Sequence, residues 1–90
     1  MTTTRTLAIV NEKGLHARAS AKLAELVEGF DARAVVMKDG LEAEGDSIMG
    51  LLMLAASKGT TIEVQTSGDE AERLADAIEV LVAERFGEDM

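Results

Sequence analysis

Cysteine and proline are both absent from this 90-residue chain, its only aromatic residues are two phenylalanines, and it has a single histidine. Without cysteine there are no disulfides, no thiolate nucleophile and no Cys-ligated zinc or iron–sulfur site. One histidine excludes a His-rich metal site within one chain. With no Trp or Tyr, the core must be aliphatic, built from Leu, Ile, Val, Ala and Met. Positive charge is also short, 9 Lys and Arg against 17 Asp and Glu, and the net charge of −8 argues against DNA, RNA or anionic lipid as partners. The longest apolar run, Ile48 to Ala56, is less than half of the roughly 20 residues that cross a membrane. MTTTRTLAIV lacks the apolar segment and cleavage pattern of a secretory signal. These absences predict a soluble, cytoplasmic protein, and a monomer is expected.

What is present is enough to fold. The chain is 47% hydrophobic, and its length allows one core, so residues 1–90 are read as a single domain. A chain this short rarely encloses a substrate on all sides. A surface reaction or a binding role therefore fits better than a stand-alone enzyme.

The pattern of elements follows from periodicity and punctuation. In Arg5 to Val10, Leu7 and Ile9 alternate with Thr6, Ala8 and Val10, as in a half-buried strand. Ala19, Leu23, Leu26 and Val27 recur at helical spacing, which predicts a helix over 17–28, with Gly29 as a left-handed stop and Phe30 packing back. Ala32 to Lys38 is rich in β-branched residues and runs into Asp39-Gly40, a two-residue hairpin signal, with Leu41 to Ala43 returning. Ile48 to Lys58 reads as a short apolar helix closed by Gly59, and Thr60 to Thr66 alternates as a strand. The segment Ser67 to Phe86 opens on two overlapping capping patterns, Ser67-x-x-Glu70 and Asp69-x-x-Glu72, and carries the apolar stripe Ala71, Leu74, Ala75, Ile78, Leu81, Val82. The order β-α-β-β-α-β-α, with one apolar side per helix, predicts an α+β open-faced β-sandwich. Its four-stranded antiparallel sheet should carry all three helices on one face.

Chemistry concentrates at one corner. With a helix starting at Ala17, His16 is its N-cap residue, beside backbone N–H groups that lack intrahelical acceptors and form the positive end of the helix dipole. Such an end suits an anion, phosphate above all. Arg18 adds a permanent charge that can fork onto phosphate oxygens, and Lys13 and Lys22 make the corner basic on an acidic protein. A neutral ring nitrogen can attack a phosphoryl group. Contacts to the resulting dianion contribute about 1.5–3 kcal/mol each, enough to steady a phosphohistidine without trapping it. A lone histidine at a loop–helix junction also serves as an ordinary cap, and the spacing of His, Arg and Gly does not by itself choose between the two.

Two separated segments resemble one family. Asn11-x-x-Gly14-Leu15-His16-Ala17-Arg18 before an Ala-rich helix, and Asp46-Ser47-Ile48-Met49-Gly50 with Lys58-Gly59 before a strand, resemble HPr. This is the histidine-containing phosphocarrier family of the phosphoenolpyruvate-dependent phosphotransferase system. The resemblance implies that His16 takes a phosphoryl group on Nδ1 from enzyme I and passes it to an enzyme IIA-type acceptor. It implies that Arg18 steadies the phosphate and that no cofactor is needed. It further implies that Ser47 is a target of HPr kinase, although serine is also a favoured helix N-cap. Proline usually follows the arginine in this family; Ala19 stands here, followed by Ser20, a variation similar to the regulatory, nitrogen-related branch. The apolar segment after Ser47 cannot bury every side chain, so Ile48, Met49 and Leu52 are expected outward, next to Ala17 and Ser20, as a docking surface for partners. A different reading keeps the surface but makes the protein a regulatory interaction module in which phosphorylation is only a signal.

Overall fold

The computed structural model describes residues 2–90. Its elements are β1 (Thr2–Ala8), α1 (Ala17–Glu28), β2 (Arg33–Lys38), β3 (Leu41–Glu44), α2 (Ile48–Met53), β4 (Thr61–Ser67) and α3 (Ala71–Ala83), followed by a 3-10 turn over Arg85–Gly87. The strands form one antiparallel sheet in the order β1-β4-β2-β3. This is the anticipated open-faced sandwich. Along β4, Ile62, Val64 and Thr66 are buried while Thr61, Glu63, Gln65 and Ser67 face out, so the sheet has one covered face and one bare one. The helices supply the cover: α3 packs on β1 and β4, and α1 lies against both α2 and α3.

Local signals account for most of this. Asp39 and Gly40 both have positive φ, 51° and 83°, the twist a two-residue hairpin between right-twisted strands requires. In α1 the buried side chains are Ala19, Ser20, Leu23, Ala24 and Val27, one stripe at helical spacing. The aliphatic core includes Leu23, Leu51, Ile62, Leu74 and Ile78, all at most 1% exposed, and Phe86 at 0%.

The structure departs from the sequence reading at the ends of elements. β1 starts at Thr2, because Thr2, Thr3 and Thr4 pair with Ser67, Thr66 and Gln65 of β4. Gly29 closes α1 but is not left-handed: its φ is −83°, its N–H donates to Leu26 O at 3.1 Å, and the next amide, of Phe30, donates to Val27 O at 3.2 Å as a tightening last turn. α2 stops at Met53 rather than running on to Lys58, and Ala55 adopts a left-handed φ of 52°. Neither Ser67 nor Asp69 caps α3. Glu70 takes that place and pairs with the loop before β2: its N–H donates to Asp31 O at 3.0 Å, and its Oε1 accepts from the Asp31 N–H at 2.7 Å. α3 also ends short of Phe86, at Ala83.

Candidate functional site

The loop between β1 and α1 is held by its own polar groups and by the segment after α2. Gly14 has φ +63°, and its N–H donates to Asn11 O at 3.1 Å. The next amide, of Leu15, donates to Ala56 O at 2.8 Å. Leu15 is buried, so the loop is anchored immediately before residue 16. His16 is then the N-cap of α1, extended at φ −78° and ψ −175°, with its carbonyl accepting the first intrahelical bond from Ser20 N–H at 2.8 Å. Its ring makes no capping bond to the helix. The amides of Ala17, Arg18 and Ala19 precede that first bond, so α1 offers them at the end where its dipole is positive.

The imidazole is engaged from a direction the sequence did not indicate. Nε2 of His16 meets Oε2 of Glu88, near the other end of the chain. The second oxygen of that carboxylate, Oε1, accepts from Asn11 Nδ2 at 2.9 Å, and the same amide nitrogen also donates to Gly14 O at 2.8 Å. Asn11 is fully buried. Glu88 and His16 are largely so, with side chains 16% and 25% exposed. The hydrogen bond from Asn11, then that from His16, with the charges of His16 and Lys13, holds the Glu88 carboxyl below its ordinary value of 4.5 against the opposing effect of desolvation. The tail reaches this position through the 3-10 turn. Arg85, Phe86 and Gly87 all have positive φ, Phe86 is buried, and Lys22 Nζ donates to Phe86 O at 2.6 Å. Glu12 N–H closes the arrangement by donating to Met90 O at 3.1 Å.

Two clefts flank this point. One, of about 380 Å³, is lined by the cations Lys13, Arg18 and Lys22 and by the carboxylates Glu12, Glu88 and Asp89. Arg18 is exposed there and forms no ion pair among the described residues, so its guanidinium is free to grip an anion. The other, of about 290 Å³, runs from Lys13 and His16 to Leu52 and Ala55 at the end of α2. Histidine, arginine and α2 thus meet at one corner.

At α2, Ser47 is the N-cap and its Oγ accepts from Gly50 N–H at 3.0 Å. Ile48 is 42% exposed and Met49 72%, whereas Leu51 and Leu54 are buried and Leu52 is half-buried. Met53, not among the residues expected outward, is the most exposed of the segment at 74%. Ala17 is exposed beside His16. Ser20 is not a surface residue: it is fully buried and its hydroxyl donates to Leu15 O at 3.2 Å. Its place at i, i+3, i+4 with Leu23 and Ala24 puts it on the inward stripe, and its polarity concealed this.

Residues 3–84 match the family model described as the PTS HPr component phosphorylation site. The chain belongs to the HPr family. It is 43% identical over 84 residues to the phosphocarrier protein HPr of Cupriavidus necator, covering 93% of this chain and 94% of that one. It is also 43% identical to the phosphocarrier protein NPr of Escherichia coli K12, over 99% and 100% of the two chains. Among solved structures, HPr-C-His from Thermoanaerobacter tengcongensis superposes with a TM-score of 0.93 at 32% identity, over 98% and 99% of the chains. As a member of the HPr family, the chain is a phosphoryl carrier of the phosphotransferase system.

Proposed function

We propose that His16 is the phosphoryl acceptor, at Nδ1, and that in the cytoplasm it receives phosphate from enzyme I and yields it to an enzyme IIA-type protein. The observation that carries this reading is the N-cap position of His16. Its ring is left free of capping at the amide end of α1, and three cations gather in the adjoining cleft. Arg18 is assigned to the phosphate. A dianion on Nδ1 gains from the amides of Ala17, Arg18 and Ala19 and from a guanidinium that has no ion-pair partner among the described residues. Incubation with phosphoenolpyruvate and enzyme I tests the reading. The product should be labile to acid, as a phosphoramidate is, and absent from His16→Ala. Acid-stable phosphate, or phosphate on the variant, overturns it.

Partners dock, in this reading, on Ala17, Ile48, Met49 and Leu52, to which the exposure of Met53 adds; burial removes Ser20 from that surface. Ser47 is proposed as a regulatory site for a kinase of the HPr kinase type. A phosphate there adds nearly two negative charges at the edge of the same apolar patch. It should slow phosphorylation of His16 by enzyme I. Equal rates for the unmodified protein and its Ser47 phosphoform remove that idea.

A further inference from the structure

We infer that Glu88 is a positioning residue for the transfer reaction: its carboxylate, held by Asn11, keeps the proton of His16 on Nε2 and so presents Nδ1 as the nucleophile. The inference rests on the assignment of His16 as acceptor and adds to it a residue 72 positions away.

An ionised carboxylate can only accept, so a contact between Glu88 Oε2 and Nε2 requires that nitrogen to carry its proton. In a neutral imidazole the other nitrogen is then bare. Glu88 cannot easily turn away, because its second oxygen is fixed by Asn11 Nδ2, and that amide is itself oriented by the Gly14 carbonyl. Asn11 is the only buried side chain among the described residues with an atom left unpartnered, Oδ1. Its NH2 group is therefore committed to Gly14 and Glu88 at the expense of its own acceptor. The rest of the tail serves the same placement: Lys22 holds the carbonyl of Phe86, and the buried Phe86 ring anchors the turn that delivers residue 88.

The contact also bears on the product. The Nδ1 lone pair forms the new N–P bond while the bond to the donor breaks, its electron pair staying with the donor. No proton moves, and the ring of His16 becomes a cation that still carries its proton on Nε2. A carboxylate on that N–H interacts more strongly with the charged ring than with the neutral one. Glu88 therefore favours the phosphorylated carrier as well as the reactive tautomer.

The test uses the full chain labelled with 15N-histidine, as wild type, E88Q and E88A. Two-bond 1H–15N spectra of the neutral ring should show wild type with the proton on Nε2 alone and E88A with a mixture of tautomers. The equilibrium for phosphoryl exchange with enzyme I should move away from the carrier by about tenfold in E88Q, which keeps the size of Glu88 but loses its charge. Amide spectra establish that the variants are folded, and E88Q keeps the test valid should E88A lose the tail. A wild-type ring protonated on Nδ1, or tautomer ratios and exchange constants within twofold across all three proteins, overturns the role of Glu88 while leaving His16 as acceptor. Phosphate uptake by His16→Ala overturns both.

Discussion

Replacing Gly14 by alanine separates steric from conformational cost in the loop that sets His16. Both Gly14 and Gly40 are left-handed, at φ +63° and +83°, and a Cβ in that region costs about 1–2 kcal/mol at either position. Their surroundings differ completely. A Cβ on Gly40 meets nothing within 4 Å, whereas one on Gly14 falls 2.4 Å from Ala56 O and 2.8 Å from Ser57 Cα. Both atoms are backbone, so no rotamer change relieves the overlap, and the two loops must part. Parting them sacrifices the 2.8 Å bond from Leu15 N–H to Ala56 O, worth about 0.5–1.5 kcal/mol. It strains the Asn11 Nδ2 to Gly14 O bond by a similar amount. Gly14→Ala should therefore lose about 2–5 kcal/mol and Gly40→Ala about 1–2 kcal/mol. That is a large share of the roughly 5–15 kcal/mol total expected for a domain of this kind. Urea unfolding measures both, and enzyme I-dependent phosphorylation should slow only for Gly14→Ala. Equal losses in the two variants, within about 0.5 kcal/mol, would refute the reasoning.

Other consequences follow from single contacts. Ser47→Ala leaves the Gly50 amide without its cap and should cost about 1 kcal/mol in chemical unfolding; an unchanged midpoint would deny the cap its energetic role. Because the folded state holds the Glu88 carboxyl below 4.5, the tail contact stabilises fully above that pH and is lost as pH falls through the lowered value. The Glu12 amide, which donates to Met90 O, should report the release as a chemical-shift change below pH 4.5 that is missing in E88Q. Met49→Lys and Met53→Lys alter exposed side chains and should change stability by less than about 0.5 kcal/mol while weakening transfer between proteins. Wild-type transfer rates in both would remove α2 from the docking surface.

How much of this was legible depended on whether a residue answers to its neighbours in sequence or to the far side of the fold. The range of α1, the Asp39-Gly40 turn and the alternation of β4 rest on local periodicity and turn chemistry, and all three stand in the structure. The start of β1 does not, because three consecutive threonines carry no apolar alternation and are strand only through their pairing with β4. The start of α3 departs from the local capping patterns for a related reason. Ser67 is needed as the last residue of β4, paired with Thr2 and Arg33, so it cannot also cap a helix. Glu70 stands at the N-cap position instead, with its carboxylate engaged by the Asp31 amide across the fold and not by the helix. At the site, His16, Arg18 and the cations around them lie within ten residues of one another and were readable together. Glu88 reads as part of a solvated acidic tail.

The turn that brings Glu88 back shows why no local pattern could announce it. Arg85 and Phe86 are both left-handed without being glycine, at a cost of about 2–4 kcal/mol for the pair. Burial of the Phe86 ring returns about 1.5–3 kcal/mol. Local preference and hydrophobic burial thus nearly cancel, and the balance is decided by what the turn reaches: the Lys22 ammonium, the Asn11 amide and the His16 ring. All three lie in the loop before α1 or in α1 itself, so the tail is ordered by the site as much as the site is ordered by the tail. An element with so small a margin follows changes at the ring it contacts. A charge appearing on His16 tightens it, and loss of the Glu88 charge loosens it, with little cost to the aliphatic core beneath.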